Sequence, residues 1–562
     1  MTGRRILVAL MSLAACTPAP PSADYVFLGG TVWTADSARP RASAVAVARG
    51  RIAYVGDDAG AKAFIGKGTV VIPLAGRMLL PGFEDSHLHP ATGGAWLYDC
   101  LLVDDTSRAM LVAHIRRCAA DDPKRPWIIG RGWALPLFPA ANPTRELLDS
   151  LVPDRPAYFR AADGHSAWVN SRALALAGIT SKTPDPPRGR IERDAHGAPS
   201  GTLREDAEAL VTRVVPPRTP EDYERGLKRS LALGNSFGIT TMTEADADTT
   251  ILEAFRVLDS AGALPMRVVA AMHVDPAAGT AQVARLAAQR TRYAGKRFRP
   301  VQAKIYADGV VEAHTAALLE PYLDTHDRGP ANLTPGQMDT IVTALDRAGF
   351  QVHIHAIGDR GVRLALDGFA AARRANGARD ARHQIAHLEM IDTLDVPRFA
   401  QLGVLANFQS LWAYRDSYVR DLTEPVLGPE RSSRLYPIGS VARSGGTIVG
   451  GSDWLVSSMN PLEAIQVAVT RRDPFGAPGP AWTPKELVTL DQILAAYTIN
   501  GAFANFQERE TGSIAVGKAA DLVLLGRDLF AIPPNEIHAT KVLLTLLDGR
   551  PVYGDPAALN AR

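Results

Sequence analysis

The chain has 562 residues, of which 46% are hydrophobic and 21% charged, and its 61 basic and 59 acidic side chains leave a formal net charge of +2. These values are ordinary for a folded enzyme, and the length predicts two or three structural units. The charges form no long runs, which argues against a nucleic-acid surface and against a polybasic membrane patch. We expect a small-molecule substrate and no nucleic-acid partner, and a homo-oligomer stays open.

The N-terminal segment has the layout of an export signal. Arg4 and Arg5 precede an apolar segment, residues 6–15, that is too short to span a bilayer. It ends in "LAAC", which resembles a bacterial lipobox, so Cys16 is the expected lipidation site and "TPAPPSAD" a flexible tether. The alternatives are a plain signal peptide cleaved near Ala15 and the start of a buried helix. We predict an exported, periplasmic protein, lipid-anchored to a bacterial membrane, with the outer membrane as the expected one.

Two further cysteines, Cys100 and Cys118, lie close together in the sequence. Because an exported protein folds in an oxidising compartment, this pair is a disulfide candidate. Two buried free thiols are the alternative, since spacing alone does not establish the Cα separation of ~5.5 Å that a disulfide needs. The chain has no CxxC motif, so neither interpretation makes these cysteines catalytic or metal-binding.

Apolar, β-rich runs alternate with helical stretches through most of the chain. The eight runs are "RMLLPGFEDSH", "GITTMTEAD", "MRVVAAMHV", "VQAKIYADG", "FQVHIHAIGD", "HQIAHLEM", "GVLANFQS" and "GGTIVGGSDW". Parallel strands separated by helices are typical of a (β/α)₈ barrel. The predicted fold class is therefore α/β, with a TIM barrel as its main domain.

The remaining segments predict how the chain divides into domains. We expect residues 1–23 to form the signal and tether, and short glycine-punctuated strands in residues 24–77 and 510–558 to close into one small β domain. Residues 78–509 form the barrel domain. An insertion of about residues 98–232 follows the first barrel strand and is far longer than the usual βα loop of about 2–6 residues. Such an insertion lies at the C-terminal mouth of the barrel, where enzymes of this fold keep their active sites.

The stretch "GFEDSHLHP", residues 82–90, ends the first of these runs with two histidines. In a strand, residues two apart project to the same face, so His87 and His89 can point at one metal ion. Two surface histidines in a turn are the alternative. The ends of other runs also carry candidate ligands, which are Lys304, His355, His387 and Asp453. Several N and O ligands that converge with one position open are typical of a catalytic zinc-type site.

These residues lie in motifs that resemble the amidohydrolase superfamily, and within it the amidohydrolase family 3 group that includes N-substituted formamide deformylases and YtcJ-like proteins. The matching stretches are "LPGFEDSHLHP", "GRGWALPLFP", "DGHSAWVNSRAL", "KIYADG", "VHIHAIGDRGV", "IAHLEM", "GGSDW" and "GSIAVGKAADLVLL", between about Tyr25 and Tyr553. The resemblance implies a barrel with one or two divalent metals, usually zinc, and a β-sandwich built from both chain ends.

The resemblance also implies roles for the candidate ligands. His87 and His89 would bind the first metal together with Asp453, and His355 and His387 would bind the second. Lys304 stands where family members carry a lysine that is carboxylated by CO₂, and its carbamate would bridge the two ions. An unmodified lysine ammonium has no lone pair, so without carbamylation or deprotonation a single-metal site becomes the better interpretation.

The insertion supplies the candidates for substrate contact. His165 lies in a family motif and is expected to hold the substrate carbonyl or its oxyanion. Trp133 and Trp168 are candidate pocket walls, with core packing as the alternative, and Gln409, after the seventh run, is expected to bind substrate at the barrel mouth.

Other polar residues receive structural interpretations. His353 is expected in the barrel interior, below the site, because sites lie at the C-terminal strand ends. Asp359 and Arg360 are expected to shape the loop after the fifth strand. Five other histidines carry no motif that points to a function, and they are His114, His196, His314, His383 and His538.

The expected chemistry follows from the metals. Water bound to Zn²⁺ has a pKa of ~7, so hydroxide is available at neutral pH to attack a carbonyl. Asp453 would accept its proton and pass it to the leaving nitrogen. We therefore predict hydrolysis of a C–N bond in an amide, N-acyl or cyclic amide substrate. Three alternatives stay open, namely a single-metal deaminase-like or ester hydrolase, a non-enzymatic ligand-binding protein that kept the fold, and a lipoprotein that captures substrate for uptake.

Overall fold

The computed structural model describes residues 22–121, 123–476 and 479–560 of the chain. The predicted signal segment and the predicted lipidation site, Cys16, lie outside these ranges. Within them, no helix combines the length and the apolar character that a membrane-spanning segment requires.

An eight-stranded, all-parallel sheet forms the centre of the molecule, and its strands follow one another in chain order. The strands are Phe83–Leu88, Ile239–Ala247, Arg267–His273, Phe298–Tyr306, Gln351–Ala356, Gln384–His387, Leu405–Phe408 and Ile448–Gly450. Each lies in one of the eight apolar runs of the sequence. Between the eighth and first strands, the Asp453 N–H donates to the His87 carbonyl at 2.7 Å. The predicted α/β barrel is confirmed.

Helices cover the outside of this barrel, which explains why its strands are buried on both faces. The helices that connect or follow the strands are Pro90–Trp96, Pro220–Ser236, Thr249–Ser260, Val283–Tyr293, Pro335–Arg347, Asp359–Asn376, Val396–Leu402, Ile438–Arg443, Pro461–Thr470, Leu490–Ala496 and Ile499–Ala504. Several begin at an N-cap that the sequence encodes. Thr334, for example, forms a capping box with Gln337.

Strands from the two ends of the chain meet in a six-stranded sheet beside the barrel. Its strands, in spatial order, are Arg550–Tyr553, Val542–Leu547, Leu522–Leu525, Met78–Pro81, Thr31–Trp33 and Arg41–Ala42. A four-stranded sheet lies next to it, with the order Arg51–Gly56, Ala44–Ala48, Tyr25–Leu28 and Val70–Pro73. Phe27 and Val45 from the smaller sheet share one hydrophobic cluster with Leu524 from the larger. The domain boundaries drawn from the sequence stay a prediction.

The segment between the first and second barrel strands forms its own six-stranded sheet. In spatial order its strands are Gly189–Arg193, Pro199–Glu205, Ser166–Val169, Ala157–Ala161, Ile128–Trp133 and Cys100–Leu101. The helices Arg108–Asp121, Arg145–Leu151, Ser171–Ala177 and Ala209–Thr212 accompany it. A disulfide joins Cys100 to Cys118, with their Cα atoms 5.8 Å apart, and so ties the edge strand to the first of these helices.

Candidate active site

A cavity of about 1420 Å³ lies at the carboxyl ends of the barrel strands, between the barrel and the insertion. Its lining includes all six residues that the sequence predicts as metal ligands. We call them the ligand cluster, and they are His87, His89, Lys304, His355, His387 and Asp453. They come from five barrel strands or the loops directly after them, so the fold brings together residues up to 366 positions apart, from His87 to Asp453.

The strand register explains how the later members of the cluster meet. Lys304 in the fourth strand pairs with His353 in the fifth, and Tyr306 pairs with His355. In the next pair of strands, His387 lies level with Ala356. Because parallel strands keep this register, Lys304, His355 and His387 all reach the same end of the barrel.

His87, His89 and Asp453 form the tightest group in the cluster. Each offers one ligand atom, and these atoms all lie within 4.8 Å of one another. Asp453 Oδ1 is 3.6 Å from His87 Nε2 and 3.3 Å from His89 Nε2. The other ring nitrogens face away from it, since His87 Nδ1 contacts His353 Nε2 at 2.8 Å and His89 Nδ1 lies 3.4 Å from Glu244 Oε1. Both Nε2 atoms are thus directed to one point beside Asp453.

The other three members surround this group. Lys304 Nζ lies 3.5 Å from His87 Nε2, and His387 Nδ1 lies 4.0 Å from Asp453 Oδ2. The ring centroids of His355 and His387 are 4.4 Å apart. His355 Nε2 also lies 3.2 Å from the Gly309 carbonyl oxygen. Nδ1 is therefore the ring nitrogen of His355 that remains to bind a metal ion.

The backbone at two of these residues takes a conformation that side chains rarely adopt. His387 has φ = 79° and Asp453 has φ = 52°. Non-glycine residues in this left-handed region cost of order 1–3 kcal/mol each, and such residues concentrate at functional sites. The backbone strain at His387 and Asp453 therefore agrees with a functional role for their side chains.

Burial keeps most of the cluster's imidazoles neutral. The pKa values of His87, His355 and His387 lie well below the usual range because of burial first and then of neighbouring positive charges, including that of Lys304. His89 differs, because the adjacent carboxylates of Asp453 and Glu244 outweigh its burial and raise its pKa to about 9. Neutral imidazoles have a lone pair to donate, which is the form that binds a metal.

Lys304 lies fully buried among these histidines. Burial lowers the pKa of its ammonium to about 8, against the raising effect of Asp246 and Asp453. Within the described ranges its Nζ forms no ion pair with a carboxylate. A buried ammonium without a paired carboxylate is costly, so an unmodified lysine is poorly matched to this position.

The residues fit a divalent metal ion. His387 Nδ1 and Asp453 Oδ1 are buried and have no hydrogen-bond partner among the described residues. Such atoms carry a desolvation cost that a ligand in the cavity would offset. Imidazole nitrogens with one carboxylate are the donor set that zinc and similar ions prefer.

Several residues that support the cluster were not anticipated from the sequence. Glu244, in the second barrel strand, lies against His89. His353 Nδ1 lies 3.1 Å from Gln302 Oε1, and His353 Nε2 contacts His87. The full burial of His353 agrees with its expected interior position. The structure adds its contact with His87, which orients the His87 ring. Partners of this kind fix the tautomer and orientation of metal-binding histidines.

His165 reaches the cavity from the insertion, as expected. Its Nδ1 contacts both carboxylate oxygens of Glu205, at 3.0 and 3.1 Å, and its ring lies 5.4 Å from that of His355. Burial opposes the charged form, but Glu205 raises the pKa of His165 to about 9. Because Glu205 occupies Nδ1, Nε2 is the nitrogen that remains to donate to a substrate oxygen.

Three predicted substrate contacts are wrong. Trp133 and Trp168 are fully buried in the core of the insertion, where they donate to the carbonyls of Phe159 and Thr144 at 3.0 and 2.8 Å. Neither lines the cavity, because both side chains point to the face of the insertion sheet that packs against helices Arg108–Asp121 and Arg145–Leu151. Gln409 also does not line the cavity, since its Nε2 turns to Asn407 Oδ1 at 3.1 Å, beneath the site.

The residues given structural interpretations lie outside the cavity lining. Asp359 accepts a hydrogen bond from the Leu319 N–H, and Arg360 donates to the Arg328 carbonyl, so both shape loops as expected. The histidines without a motif contact neighbours away from the cluster, for example His383 with Asp346 at 3.2 Å. His273, by contrast, does line the cavity and contacts Asp246 at 2.9 Å, although nothing in its sequence context suggested this.

The fold and the site together define a class of protein, a parallel α/β barrel with imidazole, amine and carboxylate side chains gathered at its strand ends. Residues 70–553 match the model of a family described as the amidohydrolase family. The chain belongs to this family.

Similar proteins span nearly the whole chain. Protein LONG AFTER FAR-RED 3 from Arabidopsis thaliana is 30% identical over 548 residues, which cover 95% of this chain and 92% of that protein. N-substituted formamide deformylase from Arthrobacter pascens is 28% identical over 541 residues, 94% and 97% of the two chains. The crystal structure of an uncharacterized metal-dependent hydrolase from Pyrococcus horikoshii superposes with a TM-score of 0.71 at 23% identity, over 91% of this chain and 99% of that one.

Proposed function

We propose that the protein is a metal-dependent hydrolase that cleaves a C–N bond in an amide, N-acyl or cyclic amide substrate. The observation that carries this proposal is the convergence of the six-residue ligand cluster on one cavity at the strand ends. Membership of the amidohydrolase family supports it, as does the similarity to an N-substituted formamide deformylase.

The ligand cluster would hold one or two divalent ions, with zinc as the expected metal. His87, His89 and Asp453 would bind the first ion, and His355 and His387 the second. Lys304 would carry a carboxyl group derived from CO₂ and act as a ligand to both. Its burial without an ion pair supports this modification, because carboxylation replaces a buried positive charge with a metal-binding carboxylate. When bound, such ions acidify water and polarise a carbonyl oxygen.

The chain's own residues would then guide the substrate and the protons. His165 Nε2 would donate to the substrate carbonyl oxygen and stabilise negative charge that develops there. A carboxylate oxygen of Asp453 would accept the proton of the attacking water and deliver it to the departing nitrogen, because an amine anion is a poor leaving group. Glu244 and His353 would hold His89 and His87 in the orientation that this chemistry needs.

A panel assay tests the proposed reaction directly. The mature protein, purified without chelator and with bicarbonate, would be incubated with N-formyl amines, N-acyl amines and cyclic amides while amine release is measured. We expect release from at least one class, and we expect Asp453→Asn to abolish it. Asp206→Asn is the matched control, since Asp206 lines the cavity but pairs with Arg188 at 3.0 Å. No release from any substrate by the zinc-loaded protein would overturn the proposal.

A single-metal deaminase-like or ester hydrolase is the second candidate. It is favoured by the compactness of His87, His89 and Asp453, which form a three-ligand group on their own. In this case Lys304 would remain unmodified, and metal content would not depend on it.

We also propose that the protein is exported and lipid-anchored through Cys16, on the basis of the N-terminal sequence. Fractionation of cells that express the full chain tests this. The wild type is expected in the membrane fraction, and Cys16→Ser is expected to lose lipid labelling. Equal lipid labelling of the two proteins would contradict the proposed anchor.

A further inference from the structure

One wall of the cavity, next to His387, combines carboxylates with aromatic rings. We call this set the acidic wall. Its members all line the cavity, and they are Glu312, Glu389, Trp412, Asp416, Tyr418 and Tyr436. Trp412 connects the wall to the ligand cluster, because its ring stacks on that of His387 with 5.5 Å between centroids and 3° between planes.

Neutral groups donate the hydrogen bonds that two carboxylates of the acidic wall accept. Thr423 Oγ1 donates to Glu312 at 2.8 Å, and the Val419 N–H donates to Asp416 at 2.9 Å. Among the described residues, however, no lysine, arginine or histidine forms an ion pair with Glu312, Glu389 or Asp416. Glu312 and Asp416 lie close enough to Glu389 for their charges to act on its carboxyl group.

Glu389 shows most clearly that the acidic wall lacks positive charge. Its side chain is only 5% exposed, it lines the cavity, and its Oε2 has no hydrogen-bond partner among the described residues. A buried carboxylate oxygen without a partner is unfavourable, and nearby carboxylates increase the cost. A positively charged group in the cavity would relieve both effects.

On the opposite side of the cavity, formed by the insertion, two carboxylates have cationic partners. Arg160 pairs with Glu208 at 3.1 Å, and His165 pairs with Glu205. The guanidinium of Arg131 stacks on Trp96, 4.0 Å from the ring centroid. Glu208 and Glu205 are thus paired with cations, whereas no carboxylate of the acidic wall forms an ion pair among the described residues.

We propose that the acidic wall binds an organic ammonium group of the substrate, beside the bond that is cleaved. The aromatic rings decide between an organic cation and a second metal site. Tyrosine and tryptophan faces attract alkylammonium groups through cation–π interactions, whereas a hard metal ion prefers oxygen ligands alone. This inference rests on the proposed hydrolase function, which it deepens by assigning the substrate class as amides that carry an amine or quaternary ammonium group.

A pair of probes without an amide bond tests the subsite independently of turnover. Choline and 3,3-dimethylbutan-1-ol have nearly the same shape, but only choline is charged, and calorimetry on the metal-loaded protein would compare their affinities. We expect choline to bind about tenfold tighter or more, which corresponds to about 1.4 kcal/mol. Equal affinity of the wild-type protein for the two probes would overturn the proposal, even if no variant folds.

Glutamine variants then locate the preference. Glu389→Gln and Glu312→Gln keep the side-chain shape and remove the charge, and each is expected to reduce the preference for choline about tenfold. Asp206→Asn, which removes one negative charge from the insertion side of the same cavity, is expected to retain it. A preference that survives both glutamine variants, or that falls equally in the Asp206 variant, would contradict a specific subsite.

A matched pair of amides separates this inference from the proposed function. N-Formyl-2-(trimethylammonio)ethylamine and N-formyl-3,3-dimethylbutylamine differ only in the charged centre, and we expect a higher kcat/KM for the first. Hydrolysis of both at equal kcat/KM, with equal probe binding, would leave the hydrolase standing and remove the subsite. A choline preference without hydrolysis of any amide would leave the subsite standing and remove the hydrolase.

Discussion

The ligand cluster and the packed core of the insertion differ in what their residues contribute to the folded state. The ligand cluster, on the barrel side, contains buried polar atoms without partners and left-handed backbone at His387 and Asp453. The insertion side encloses a packed core in which Trp133 and Trp168 are buried and satisfy their indole N–H groups. Proteins commonly accept lower stability where function demands it, and recover it elsewhere. Substitutions in the ligand cluster should therefore affect chemistry, and those in the core of the insertion should affect stability.

Asp453→Asn is expected to have the largest effect, a loss of activity without a loss of stability. Asparagine fills the same space but neither accepts the proton nor offers a charged ligand oxygen, so kcat/KM for amide hydrolysis should fall by about 10³-fold or more. The free energy of unfolding should change little, because the lost contact with His89 is offset by the removal of a buried carboxylate oxygen that accepts no hydrogen bond from the described residues. Steady-state kinetics and denaturant unfolding measure the two quantities, with Asp206→Asn as control. A large loss of stability would contradict the claim that the ligand cluster contributes to chemistry and not to stability.

Trp168→Ala should show the opposite pattern. The side chain is fully buried and packs against Trp133 and Phe138, so its removal should lower the free energy of unfolding by about 3–5 kcal/mol. Trp412→Ala is the matched control, because Trp412 is partly exposed in the cavity and should cost less stability. Metal content per folded chain should not change in the Trp168 variant, and loss of metal at full stability would contradict the assignment.

The disulfide provides a second test of how the insertion contributes to stability. Replacing both Cys100 and Cys118 by serine opens a link between residues 18 positions apart, and the free energy of unfolding should fall by about 3 kcal/mol. Hydrolysis at low temperature, where the variant remains folded, should match that of the wild type. Urea titrations of the two proteins, each with and without reductant, provide the test, and equal midpoints for both would show that the link does not stabilise the insertion.

Glu244→Gln should produce a smaller effect, confined to the barrel side. Glu244 lies against His89 Nδ1, and substitutions of such partners usually cost about 10–100-fold in metal affinity or activity. Glu253→Gln makes the same exchange on an outer helix, where Glu253 pairs with Arg256, and should leave both properties unchanged. Metal titration with a competing chelator compares the two variants. Equal affinities would show that Glu244 does not position His89.

The sequence predicted the barrel and the ligand cluster because both follow from local pattern. The HxH spacing of His87 and His89 places both rings on one face, and the parallel topology brings strand ends together. The partners of these ligands were missed because they depend on packing. Glu244 is a single carboxylate in an ordinary strand, and only the assembled barrel shows that it meets His89. The same holds for Glu389, whose significance comes from Glu312 and Asp416 in other loops.

The errors arose where local pattern does not specify direction. Trp133 and Trp168 lie in strands of a mixed sheet, and alternation along a strand separates two faces without showing which one meets the barrel. Both tryptophans point to the helix-covered face. Gln409 follows a strand end, as members of the ligand cluster do, but its side chain turns to Asn407 beneath the cavity. Family motifs suggested a position near the site for the two tryptophans, and a strand end suggested it for Gln409, but tertiary packing decided the orientation of all three side chains.

Metal content per chain tests the central claim, that the ligand cluster is a metal centre. Elemental analysis of the mature protein, purified without chelator and with bicarbonate, would be compared with that of Lys304→Ala. Two divalent ions in the wild type that fall to one or none in the variant would agree with the account. One ion in both proteins would establish the single-metal alternative. No stoichiometric metal in the wild type, together with no activity after zinc is added, would contradict the account.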